Sequence, residues 1–173
     1  MSKIVVARRG AMLALLLSVL CLAACSPKYN WREVRGKDAR FVVLLPDKPT
    51  TLTRDINLDG ITVAMTMTAA EVDGVNFAVG YVDVADGTRA AAALNAMKTA
   101  LIGNIHGSIK PATPGTAIEL EALGHRNDSS DALLLLGHFE TKGNRAYQVI
   151  VLGSEKAVIR DEAMTFFNSF KSN

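Results

Sequence analysis

ITVAMTMTA, residues 61–69, carries the pattern from which the fold class can be read. Ile61, Val63, Met65 and Met67 alternate with Thr62, Ala64, Thr66 and Thr68, and this period of two sends one set to each face of a strand. A helix would scatter both sets around its axis, so the stretch predicts a strand with one face turned to a core. Turn signals bracket it, Asp59-Gly60 before and Asp73-Gly74 after. TTLTRDINL (50–58) precedes the first turn, and VNFAVGYVDV (75–84) follows the second with Phe77, Val79 and Tyr81 on one face. Further upstream FVVLL (41–45) stops at Pro46, where PDKP breaks the chain because proline removes a donor and constrains its predecessor. Four strands joined by short turns predict an antiparallel meander.

Beyond Thr88 the period changes. Leu94, Met97, Leu101 and Ile105 recur at three and four over an alanine-rich background, which predicts a helix that Asp86 or Thr88 can cap and Gly103 or Gly107 can end. GSIKPATPGT (107–116) has the proline and glycine content of a surface loop. Three strand candidates follow, TAIELEALGH (116–125), ALLLLGHFET (132–141) and RAYQVIVLG (145–153), the last two joined through Lys142-Gly143-Asn144. Asp161 can cap a closing helix, DEAMTFFNSFK, whose buried stripe is Ala163, Phe166, Phe167 and Phe170. The expected fold class is α+β, a curved, mostly antiparallel sheet of about six or seven strands flanked by two helices.

The N-terminus reads as an address. Lys3, Arg8 and Arg9 precede an uncharged run from Ala11 to Leu22 of about a dozen residues, whereas a membrane-spanning helix takes roughly 20. That is the layout of an export signal. Gly10, Ala11 and Met12 do not extend Arg8-Arg9 into a twin-arginine pattern, which favours general secretion. Leu22, Ala23, Ala24 and Cys25 resemble the lipobox of bacterial lipoproteins. The resemblance implies cleavage between Ala24 and Cys25, with lipid (palmitate among its chains) attached to Cys25. Ser26 stands where aspartate would direct inner-membrane retention, so the implied location is the cell outer membrane, facing the periplasm.

This divides the chain into a cleaved signal peptide (1–24), a lipid-anchored leader (25–39) and one globular domain (40–173). Cys21 leaves with the signal and Cys25 is acylated, so the expected mature protein has no free thiol for disulfide, zinc-thiolate or nucleophilic chemistry. The signal also removes three of the 19 Lys and Arg, leaving 16 against 17 acidic residues, and a nucleic-acid partner loses its electrostatic support. In the leader, SPKYNWREVRGKDAR (26–40) carries five basic residues against two acidic ones. It reads either as a tether drawn to anionic lipid, at about 1 kcal/mol per well-placed charge, or as a solvated leader whose Trp31 packs on the domain edge.

A tryptophan-led opening (Trp31) is followed by Phe-x-x-x-x-Pro-x-x-Pro (Phe41, Pro46, Pro49) and a long hairpin ending in Tyr-x-Asp (Tyr81, Asp83). A Tyr-Gln-Val core (Tyr147, Gln148, Val149) and a closing Phe-x-x-Ser-Phe (Phe166, Ser169, Phe170) come after the helix. This order of packing residues, over Trp31 to Lys171, resembles the PsbP-like group, which includes photosystem extrinsic proteins and bacterial DcrB-type lipoproteins. The resemblance implies an α/β/α sandwich that binds or stabilises membrane-associated assemblies without being an enzyme, and it carries over no binding residue.

Motifs for serine hydrolysis, zinc proteolysis, nucleotide binding or calcium loops are missing from the sequence. The weighed alternatives are few. His125, Asp128 and His138 would hold a divalent metal, alone or in a metal-dependent enzyme, if the hairpin register brought them together. Asp83 and Asp86 would form paired carboxylates for acid and base work, although a helix cap explains Asp86 and a strand end Asp83. His106 ends a helix, where a cation favours the dipole. Asn127-Asp128-Ser129 matches a glycan acceptor only formally. The expectation is a non-catalytic binding or accessory module with no cofactor and no metal, whose partners are membrane lipid through Cys25 and an envelope protein.

Overall fold

The computed structural model describes residues 27–36, 40–58, 60–111, 114–125 and 131–173. The stretch read as a signal peptide (1–24), Cys25, Asn127 and Asp128 lie outside them. The alternating stretch forms most of β4 (Ile61–Val72), which pairs antiparallel with β3 (Thr50–Leu58) and β5 (Val75–Asp83). Both connections are the two-residue hairpins their turn signals predict. At Asp73-Gly74 both residues have positive φ (49° and 75°), matching the right-handed twist of the flanking strands.

The strands continue as β6 (Ser108–Lys110), β7 (Leu120–His125), β8 (Ala132–Lys142) and β9 (Arg145–Ser154). Together they make a seven-stranded sheet in the order β3-β4-β5-β9-β8-β7-β6. Two helices, α1 (Gly87–Asn104) and α2 (Arg160–Ser169), complete the α+β fold expected from the periodicity.

The predicted four-stranded meander is corrected to three strands. β2 (Phe41–Leu45) belongs instead to a second sheet, β1-β2-β10, with β1 (Arg32–Arg35) and β10 (Lys171–Ser172). Its buried residues Phe41, Val43 and Leu45 face the large sheet across a core, and the break at PDKP lets the chain cross from one sheet to the other. The leader boundary also moves, because β1 lies within the stretch read as leader. Only Val34 of REVR turns inward, so an edge strand of this kind has no apolar run to reveal it. Trp31 packs on the domain as one of its two readings had it, with its ring 6.1 Å from Phe77 and stacked at 5.8 Å on Tyr29. β6, three residues long, falls in the stretch read as loop.

Both faces of the large sheet are covered. On one, α1 packs Ala93, Met97 and Leu94 over Ala78, Val82, Ala146 and Ile150. On the other, Phe77, Val79, Leu136, Tyr147 and Val149 meet β2 and the α2 stripe Ala163, Phe166 and Phe167. The central strands β5 and β9 are therefore apolar almost throughout, whereas β4, next to the edge, keeps its alternation. Its threonine face pairs across to β3, with Thr66 3.0 Å or less from a partner hydroxyl at Thr53 (2.8 Å) and Thr68 at Thr51 (3.0 Å).

Of the two candidate caps, Asp86 closes the N-terminus of α1: its Oδ1 accepts from the N–H groups of Thr88 (3.0 Å) and Arg89 (3.1 Å). At the other end Ile105 is the C-cap, and His106 takes the left-handed conformation (φ 47°) where glycine is usual. The N–H of Gly107 reaches Ile102 O at 2.9 Å and that of His106 reaches Gly103 O at 3.0 Å, a Schellman motif. Asp161 does not cap α2, whose N-cap is Ile159, two residues earlier, with no side-chain hydrogen bond; with Glu162 it lies in the first turn, where negative charge suits the helix dipole. Arg160 is held in a bidentate pair with the buried Glu121, at 2.7 and 3.1 Å, tying the helix start to β7.

A groove beside the alanine face of the long helix

The β7–β8 register decides the histidine alternative. His125 pairs with Ala132, and Leu120 with Gly137, so His125 and His138 stand at opposite ends of the hairpin, six residue steps or about 20 Å apart. They do not share a site. His138 is instead half-buried beside the C-terminus, its Nδ1 3.3 Å from Glu119 Oε1 without a hydrogen bond and its Nε2 3.8 Å from Glu140 Oε2. Glu140 in turn accepts from Ser172 Oγ. His125 stacks on His106, ring centroids 5.5 Å apart, because the Schellman turn sets the end of α1 against the end of β7. Among the described residues no group of three or more His, Cys, Asp and Glu is placed to hold a metal ion.

The two carboxylates near the end of β5 are engaged separately. Asp83 receives Arg145 in a bidentate pair at 2.6 and 2.8 Å, and the same guanidinium lies over the Tyr81 ring at 5.0 Å. The hydrogen bonds from Arg145 to Asp83 hold its guanidinium above the usual range, against the opposing effect of burial. Asp86 is held below the usual carboxylate range, first by the Thr88 hydroxyl and then by the Arg89 N–H.

A depressed folded value means that this carboxylate stabilises the fold fully above its unfolded pKa of about 3.9, and that the contribution fades as pH falls through the folded value. Asp86→Ala is accordingly expected to be less stable than the parent by a constant margin above about pH 5, with the margin closing in stronger acid. Urea unfolding at several pH values measures it, and a margin independent of pH down to full protonation would remove the charge from the explanation.

Beside these carboxylates lies a groove that the sequence did not single out. The β3–β4 hairpin outruns its neighbour: β5 pairs with β4 only from Met65 onward, leaving Ile61 to Ala64 paired to β3 alone. This projecting tip and the N-terminal half of α1 enclose about 490 Å³, walled by Leu58, Ile61, Val63, Ala92, Ala93 and Ala96, with Thr62, Asp83 and Arg89 at its polar margin. A second hollow of about 520 Å³ shares Leu58, Ala92 and Ala96 and adds Asn57, Asn95 and Thr99, so the two form one groove along the helix. Its volume is in the range of ligand sites, but its walls are small side chains of a helix and a hairpin rather than convergent reactive groups. The signal in the sequence is the alanine-rich background of α1. Periodicity identifies the core stripe of a helix, and alanines off that stripe become a groove only when another element stands over them.

No family model matches the sequence, and no curated protein matches it. A solved protein of Bacteroides thetaiotaomicron VPI-5482 is similar over 82% of this chain and 48% of its own length, at 12% identity and a TM-score of 0.42. The chain thus spans about half the length of that protein. Among the described residues no helix is long and apolar enough to cross a membrane.

Proposed function

We propose that the protein is a lipid-anchored, non-catalytic binding module of the cell envelope, attached through Cys25 to the outer membrane and facing the periplasm, which docks an apolar segment of a partner polypeptide. The groove between α1 and the β3–β4 tip carries this reading. It is open along the helix, and its apolar wall continues into Asn57, Asn95 and Thr99, amide and hydroxyl groups that suit the backbone of a polypeptide as well as its side chains. The lipobox resemblance supplies the anchor, and the packing pattern shared with the PsbP-like group suits an accessory of a membrane assembly.

Two experiments address the two halves. Cys25→Ala is expected to leave the membrane fraction; if it remains wholly membrane-bound at its mature size, the anchor is wrong. A photo-crosslinking residue at Thr62 is expected to capture a partner in intact membranes, and Ala92→Phe, which fills the groove from an exposed helix position, is expected to reduce that crosslink at least tenfold with the fold unchanged. Undiminished crosslinking in the Ala92→Phe protein sinks the groove as the docking site.

A further inference from the structure

The position of the anchor relative to the groove points to how the domain stands on the membrane. Tyr29 is already part of the fold, stacked on Trp31 and set edge-on to Phe77 at 6.3 Å. Lys28 reaches Asp73 Oδ2 at 2.8 Å, at the β4–β5 turn. The leader that the sequence allowed to be 15 residues long is therefore a leash of four steps from Cys25 to Tyr29, which reaches at most about 14 Å. An acyl-modified Cys25 lies at the headgroup layer, so the β4–β5 end of the domain lies against it.

β4 then measures the distance to the groove. Val72 adjoins the turn held by Lys28, and Ile61, eleven steps away, forms the groove wall, a separation of about 35 Å along the strand. The groove also opens on the α1 face of the large sheet, while the leash runs into β1 on the opposite face. β1 exposes Arg32 and Arg35, cations that favour anionic headgroups, although Glu33 pairs with Arg35 at 2.6 Å.

We propose that the β4–β5 end, with Lys28 and the β1 edge, is a docking surface for the lipid headgroup layer, and that it turns the α1 groove away from the bilayer. The partner in the groove is then delivered from the aqueous side and is not a segment embedded in the same membrane. This inference rests on acylation of Cys25.

The test uses the acylated mature protein in vesicles of phosphatidylethanolamine and phosphatidylglycerol carrying an energy-transfer acceptor on a fraction of the headgroups. Glu71→Cys and Thr62→Cys place a donor fluorophore at two exposed positions near opposite ends of β4, and the acylated chain offers no other thiol. Transfer from position 71 is expected to exceed that from position 62 several-fold, and equal or reversed transfer overturns the proposal. Trp31, the sole tryptophan, gives a second readout in the unsubstituted chain: nitroxide lipids labelled at the headgroup are expected to quench it, and an unquenched Trp31 also overturns the proposal. Mass spectrometry of the N-terminal peptide separates the two levels. An unmodified Cys25 removes anchor and orientation together, whereas an acylated Cys25 with the wrong transfer pattern removes only the orientation.

Discussion

Phe77→Ala is expected to lower the stability of the domain by about 3–5 kcal/mol, a large share of the 5–15 kcal/mol typical of a domain. Phe77 is buried on β5, with Phe166 of α2 edge-on at 5.5 Å and the Tyr29–Trp31 stack on another side. Its ring is the point where the large sheet, α2 and the N-terminal segment meet. The cavity left by alanine would be walled by three elements that cannot all close on it, so the loss includes a cavity term as well as the transfer term. Denaturant unfolding measures the effect. Phe77→Leu, which keeps most of the volume, is expected to lose less than half as much. Trp31 fluorescence adds a local readout, because truncating Phe77 removes the surface on which the indole packs; an unchanged spectrum would mean that the N-terminal segment is held by other contacts.

The second large effect concerns a residue that contributes no side chain. Gly124→Ala places a Cβ 2.1 Å from the carbonyl oxygen of Ile105, the C-cap of α1. Real Cβ atoms do not approach an oxygen so closely, so backbone must move, and the Ile105 carbonyl already accepts from the His125 N–H at 2.8 Å. A loss of about 3 kcal/mol is expected, at the upper end of overpacking penalties because the obstacle is main chain. Gly137→Ala is the control. Its Cβ would lie 2.7 Å from the Phe139 ring, a side chain whose χ angles can shift where the Ile105 main chain cannot, and it should cost less. Equal losses in the two variants would show that the end of α1 yields as easily as a phenylalanine ring, contrary to its double fastening by the Schellman turn and β7.

The second effect bears on the groove, since the close approach of Gly124 to Ile105 fastens one end of α1 to β7 and Asp86 caps the other end. The helix is held against the sheet at its C-terminal end by β7 and along its length by Ala93 and Met97, while Ala92 and Ala96 remain to form a wall. A wall of this kind is preorganised, so a partner would not have to order it on binding.

Much of the architecture is legible in the sequence because local signals and global fold agree. The alternation in β4, the Asp-Gly turns, the switch of period at Thr88 and the aromatic stripe of α2 each report a local periodicity, and tertiary packing leaves them unaltered. The misses share a different cause. REVR and SIK are strands by virtue of their neighbours, with too few apolar residues to show a period. FVVLL is recognisable as a strand, but nothing local says to which sheet it belongs. Asp161 looks like a cap, yet the helix starts two residues sooner, with Ile159 at the cap and Arg160 paired to Glu121.

The candidate sites divide along the same line. Reading Asp86 as a cap needs only the residues that follow it, and a local motif suffices. His125 and His138 are thirteen positions apart in the chain, and only the hairpin register places them at opposite ends while setting His125 against His106. By itself the sequence determines the α+β class and the positions of most elements, because periodicity and turn chemistry are properties of neighbouring residues. Tertiary structure alone decides which sheet β2 joins, that Tyr29 and Trp31 pack against the core and where the groove lies. Those depend on which distant surfaces bury one another, and in this chain the excess length of one hairpin over its neighbouring strand is what leaves the alanine face of α1 open.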